Sequence, residues 1–111
     1  MTYHVTLGTA GTSTVVRLVG DGDGHDVEAL RGVLDEAVRQ VSRRLVIDLH
    51  DAHSLPAAAV RCLAFAGQRV PPAAEVVVEG ASPVLLSRLR LAGLDRSMTI
   101  VARETAELTL A

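Results

Sequence analysis

The sequence predicts one α/β domain over residues 1–111, a mixed and mostly parallel sheet of about five strands with four helices. Three observations carry that expectation. At 111 residues the chain is long enough for one compact core. It opens with two β-rich runs around a Gly-containing turn, and thereafter helical and strand periods alternate. No repeat, low-complexity tract or long linker interrupts the alternation.

Each element follows from its residues. Residues 3–7 alternate loosely, Gly8-Thr9-Ala10-Gly11-Thr12-Ser13 supplies turn residues, and Thr-Val-Val-Arg-Leu-Val at 14–19 is strongly β-branched, so the pair reads as a hairpin. Gly20-Asp21-Gly22-Asp23-Gly24-His25-Asp26 reads as a flexible acidic loop whose carboxylates favour the positive end of a following helix. That helix is predicted over 27–41. Val27, Leu30, Leu34, Ala37, Val38 and Val41 fall in a stripe about 100° wide, with Glu28, Asp35, Glu36 and Arg39 on the other side. Leu-Val-Ile-Asp-Leu at 45–49 reads as a strand apolar on both faces except for Asp48. A helix over about 56–68 begins at Pro56, which a first turn tolerates. Pro71-Pro72 breaks the chain before a strand at 75–79. Ser82-Pro83 caps a helix running to Leu91, and Gly93 stops it in the Schellman manner. A last strand is predicted at 98–101 and a short helix at 103–110. Helical crossovers between strands imply right-handed connections and one mixed sheet edge.

Composition excludes several function classes. Hydrophobic residues make up 49%, yet only Tyr3 and Phe65 are aromatic, which leaves no stacking platform for single-stranded nucleic acid. A net charge of −2 argues against a broad grip on nucleic-acid phosphates or anionic lipid. All 11 basic residues are Arg, and both Lys and Asn are missing, as GC-rich coding would produce. Cys62 alone can form neither an intramolecular disulfide nor a multi-cysteine metal site. No apolar run approaches the roughly 18 residues of a membrane span, and Met1 opens into a polar strand. A soluble, cytoplasmic domain without cofactor is the expectation.

The run Thr14 to Gly20, the acidic loop, the amphipathic helix and Leu45-Val-Ile-Asp-Leu49 together resemble the STAS domain, the module of bacterial anti-sigma factor antagonists. Residues 83–101, with Leu-Arg-Leu-Ala-Gly-Leu-Asp at 89–95, look like that family's closing helix, Gly-Leu-Asp turn and last strand. The resemblance covers nearly the whole chain and rests on order and spacing. It implies a non-enzymatic regulator that docks on an anti-sigma factor of the serine-kinase ATPase type. It further implies a phosphoacceptor Ser in an Asp-Ser-Ser-Gly-like motif at the start of the second helix. That motif falls on Pro56-Ala57-Ala58-Ala59, so the acceptor position is Ala58 and its neighbour Ala57 also lacks a hydroxyl. Phosphorylation would add close to two negative charges to a docking surface; alanine rules it out at that site. Asp23 falls on the family's acidic position in Gly20-Asp21-Gly22-Asp23, although Gly22 replaces the usual Leu. The implied contact surface is Asp23, Ala57, Ala58, Arg61 and Phe65. A structural subunit of a signalling scaffold or an ABC-type transporter complex is the alternative.

The remaining chemistry-bearing residues read more plainly. Asp21, Asp23 and Asp26 are fragments of a calcium-loop pattern whose twelfth position is Gly32 rather than Glu, so a solvated loop is expected. His50, Asp51, His53 and Ser54 gather at the carboxyl end of a strand, where α/β proteins place ligands. Neighbours in one loop do not make a triad, and no Gly-x-Ser-x-Gly elbow exists, so no catalytic residue is assigned. Ser54 is expected to bond backbone amides near the helix start. Asp48 is expected to accept hydrogen bonds from loop amides there as well. On the second helix Ala59, Val60, Leu63, Ala64 and Gly67 form one face and Arg61, Cys62, Phe65 and Arg69 the other. The only Phe thus points away from the sheet beside Arg residues, the makings of a hot spot unless another segment covers it. Cys62 reads as an inert, half-buried side chain. Val84 and Leu91 either extend that apolar patch or meet a second copy of the chain in a homodimer.

Overall fold

In the computed structural model, residues 3–21, 27–41 and 43–102 are described. The opening hairpin is β1 (Tyr3–Ala10) and β2 (Ser13–Gly20), antiparallel, with Ala10 opposite Ser13. Its loop is therefore only Gly11-Thr12, and Gly11 takes the positive φ of 61° that such a tight turn demands. Gly8, Thr9, Ala10 and Ser13, read from sequence as turn, continue the ladder. Gly8 to Ala10 are exposed, which is why hydropathy carries no trace of them as strand.

Helix α1 (Val27–Gln40) leads to β3 (Arg44–Asp48), α2 (Ala57–Arg69) to β4 (Glu75–Ala81), and α3 (Pro83–Leu91) to β5 (Thr99–Ala102). A 3-10 turn at Leu94–Arg96 follows α3. The predicted helix at 103–110 lies outside the described residues. The sheet order is β1-β2-β3-β4-β5, with every pair after the hairpin parallel. Because spatial order equals chain order, each right-handed crossover steps the same way and lays its helix on the same face.

That face holds the core. Val16, Leu18, Leu45, Ile47, Val76 and Val78 point into it and meet Leu30, Leu34, Leu63, Leu85 and Leu89 from the three helices. Each such leucine contributes about 1.5–3 kcal/mol by leaving water. The opposite face, reached by the alternate residues, carries a row of Val15, Val46, Val77 and Thr99 in register. Beside it runs Arg17, Asp48, Glu79 and Val101. Among the described residues no helix covers the second face of the strand at 44–48: Val46 is buried between Val15 and Val77 within the sheet surface.

Local signals place α3 as expected. Ser82 Oγ accepts from the Leu85 amide at 3.3 Å, Pro83 occupies the first turn, and Gly93 ends the helix at φ 82°. Asp48 lies under a short loop rather than at a helix start. Its Oδ1 accepts from the His50 amide at 3.0 Å and meets His50 Nδ1 at 2.7 Å, while Arg17 Nε stands 3.7 Å from Oδ2. Burial acts to raise its pKa, but the His50 bonds and the charges of His50 and Arg17 prevail, and the net shift is downward.

Candidate functional site

The loop between β3 and α2 determines where α2 begins. Gly20 donates to the Asp51 carbonyl and accepts from His53, both at 2.9 Å, so the end of β2 is stitched to the loop. Leu49 donates to the Glu79 carbonyl at 2.9 Å, and Tyr3 Oη donates to the Ser54 carbonyl. Leu55 is buried below. Pro56 is the N-cap and has no side-chain acceptor to offer the first amides. The start of α2 is thus positioned by strand pairing and core packing.

From there Ala59, Val60, Leu63 and Ala66 turn into the core. Ala57 is exposed, Ala58 half-buried, Arg61 exposed, and Phe65 60% exposed. Among the described residues only the Arg69 side chain lies over the Phe65 ring, and the outward orientation read from the helical wheel holds. Ala66, which the wheel reading assigned to neither face, is buried where α1 packs alongside. Asp23 lies outside the described residues, as do Asp26 and most of the acidic loop, so the five predicted contact residues reduce here to the four on α2. Among the described residues no group of three or more His, Cys, Asp or Glu could hold a metal ion.

Between α1 and α2 runs a groove of about 410 Å³. Ala58, Cys62 and Ala66 of α2 and Val27 and Leu34 of α1 form its apolar floor, and Phe65 stands at its wall. Arg31 and Arg61 rise from opposite helices. At one end Arg69 Nη1 binds Asp35 Oδ1 at 2.6 Å, and the same guanidinium lies 5.2 Å from the Phe65 ring centroid. That hydrogen bond, and then the charges of Arg69, Arg39 and Arg31, hold the Asp35 carboxyl below its ordinary pKa despite partial desolvation. Sequence reasoning set Asp35 on the solvent side of α1. It sits instead at the helix–helix seam, because a wheel of one helix cannot say where a second one lies. Arg31 and Leu34 were missed as site residues for the same reason.

The other predicted groups are dispersed. His50 and Asp51 belong to the Asp48–Arg17 cluster beside the open sheet face. Val84 and Leu91, 70% and 87% exposed, line a separate hollow on α3 with Pro83, Ser87 and Arg88. They do not extend the Phe65 patch.

A search of curated proteins finds no match. Solved structures match in fold. An anti-sigma factor antagonist from Mycobacterium paratuberculosis superposes with a TM-score of 0.83 at 21% identity, covering 97% of this chain and 91% of that one. The phosphorylated form of the Bacillus cell fate determinant SpoIIAA gives 0.68 at 19% identity, covering 96% of each. An antisigma-factor antagonist STAS domain from Rhodobacter sphaeroides gives 0.58 at 27% identity, over 70% of this chain and 86% of that one. The family model described as "Mlab, STAS domain" matches residues 5–102. With nearly the entire sheet-and-helix framework inside that match, the chain belongs to the STAS domain family.

Proposed function

We propose that the chain is a non-catalytic docking protein of the anti-sigma factor antagonist type, acting in the bacterial cytoplasm. Its partner would be an anti-sigma factor with a serine-kinase-type ATPase fold, engaged through Ala57, Ala58, Arg61 and Phe65, with Asp23 alongside. One observation carries this reading. A well-anchored helix start presents small side chains and an exposed aromatic flanked by Arg, the composition of an interface hot spot. Alanine at 57 and 58 leaves no hydroxyl for the family's phosphorylation switch, so docking would be constitutive.

Calorimetry against the kinase-type anti-sigma proteins of the same genome tests it. Wild type should bind one of them, an Arg61→Ala/Phe65→Ala double variant should bind at least about tenfold more weakly, and Ala58→Asp should also bind poorly. No phosphate should pass from ATP to the wild-type chain. Absence of binding to every such protein would sink the function; undiminished binding by the double variant would sink the surface.

A second reading draws on the same alanines and on the MlaB-type family model. The domain would be a permanent subunit of a larger assembly, a signalling scaffold or an ABC-type transporter complex. Gene neighbours discriminate: a sigma factor with a kinase-type ATPase favours docking, and a permease with a transport ATPase favours the subunit.

A further inference from the structure

The groove between α1 and α2 specifies the chemistry of what it takes more narrowly than the start of α2 alone. Its α2 wall runs from Ala58 to Arg69, about 16 Å at the helical rise of 1.5 Å per residue, or three turns. The floor is apolar and made of small and aliphatic side chains, so another backbone can approach closely.

Among its described lining residues the groove carries more positive charge than negative. Asp35 is the one carboxylate among them, and Arg69 already holds it. Among the described residues Arg61 makes no ion pair and Arg31 makes one, with Glu28 of its own helix at 3.5 Å and largely exposed, while its charge also reaches Asp35. Two guanidiniums from opposite helices along an apolar trough favour two acids flanking an apolar ridge. An acyl chain carries its single anionic headgroup at one end rather than along its apolar length. An extended peptide would leave its backbone amides and carbonyls unpaired here, because the walls are helices with no strand edge to offer. A helix satisfies its own backbone and presents an apolar stripe with flanking side chains at i, i+3, i+4 and i+7.

We propose that this groove seats an acidic amphipathic helix of the protein partner, its apolar stripe on Leu34, Ala58 and Phe65 and its flanking carboxylates on Arg31 and Arg61. The inference rests on the docking reading above and deepens it by naming the partner segment. Bidentate pairing of guanidinium with carboxylate would fix the register. The Asp35–Arg69 pair closes one end and keeps the Phe65 ring in place.

The test uses the full chain, labelled with nitrogen-15, and three probes. The first is a capped 15-residue helical peptide with Leu at i, i+3, i+7 and i+10 and Glu on both flanks. The second is its twin with Lys in place of each Glu, and the third is decanoate. The Glu peptide should shift amides of residues 27–35 and 57–69 and bind less tightly as salt rises. It should bind at least about tenfold more weakly to Arg31→Glu/Arg61→Glu, a pair of surface changes whose folding circular dichroism verifies, and that variant should instead take the Lys twin. The proposal fails if the Glu peptide does not bind, shifts amides elsewhere, or binds the reversed variant equally well. It fails too if decanoate alone occupies the groove. Anti-sigma binding that survives the reversal would overturn the groove assignment and leave the docking reading intact. Groove binding of the Glu peptide with no anti-sigma partner found would do the opposite.

Discussion

Gly80 and Gly8 show how far single residues differ in what the fold demands of them. Gly80 has φ +80°, and a Cβ built there would fall 2.4 Å from His50 Nδ1. Gly80→Ala should destabilise the domain by about 1–3 kcal/mol, read as a lower urea midpoint. Gly8 lies in β1 with nothing within 4 Å of the Cβ position. Gly8→Ala should leave the midpoint unchanged or raise it slightly by restricting the unfolded chain. Asp48 gives a pH signature. Its folded pKa is depressed, so the ionised form stabilises the native state above the ordinary aspartate value of about 4. That contribution is lost as pH falls through the lowered value. The stability gap between wild type and Asp48→Asn should therefore be full near neutrality and narrow on acidification; a gap independent of pH down to about 2 would contradict it. The sequence marked Asp48 as a carboxylate needing hydrogen bonds, but not that His50 supplies them and Arg17 adds an ion pair, since those partners come from a loop and another strand.

At the scale of elements, caps and stripes were the legible features. The stripe Val27-Leu30-Leu34-Ala37 is the buried face of α1, and Ser82 caps α3 as its position before Pro83 implied. Ser82→Ala should cost about 1 kcal/mol, a fall of about 4–8 °C in Tm for a domain near this size. An unchanged Tm would show that Pro83 and the packing of Leu85 suffice to start the helix. The hairpin was legible only as a hairpin, because the exposed end of β1 carries Gly, Thr and Ala rather than a hydrophobic alternation. Of the candidate site, the α2 half could be read, down to Phe65 facing out. The α1 half could not: Arg31, Leu34 and Asp35 join it only because the two crossover helices lie side by side on one face.

The described residues share one core under one sheet face. Leu63, 1% exposed, packs in that single cluster. Leu63→Ala should cost about 2–5 kcal/mol and lower the urea midpoint with no change in slope, as expected when one cooperative unit unfolds. A second transition would show that the helical layer melts separately from the sheet. No helix among the described residues is long and apolar enough to cross a membrane. The sequence by itself determined the order of elements, the α/β class, the family and the missing hydroxyls at 57 and 58, because these follow from local periodicity, turn chemistry and residue identity. Tertiary structure alone decided that all three crossover helices share a face, leaving Val15, Val46 and Val77 on one that no helix among the described residues covers. It also decided that Phe65, Arg61 and Arg31 frame a common groove. Those outcomes depend on strand order and on distances between residues far apart in the chain, which no single-element pattern encodes.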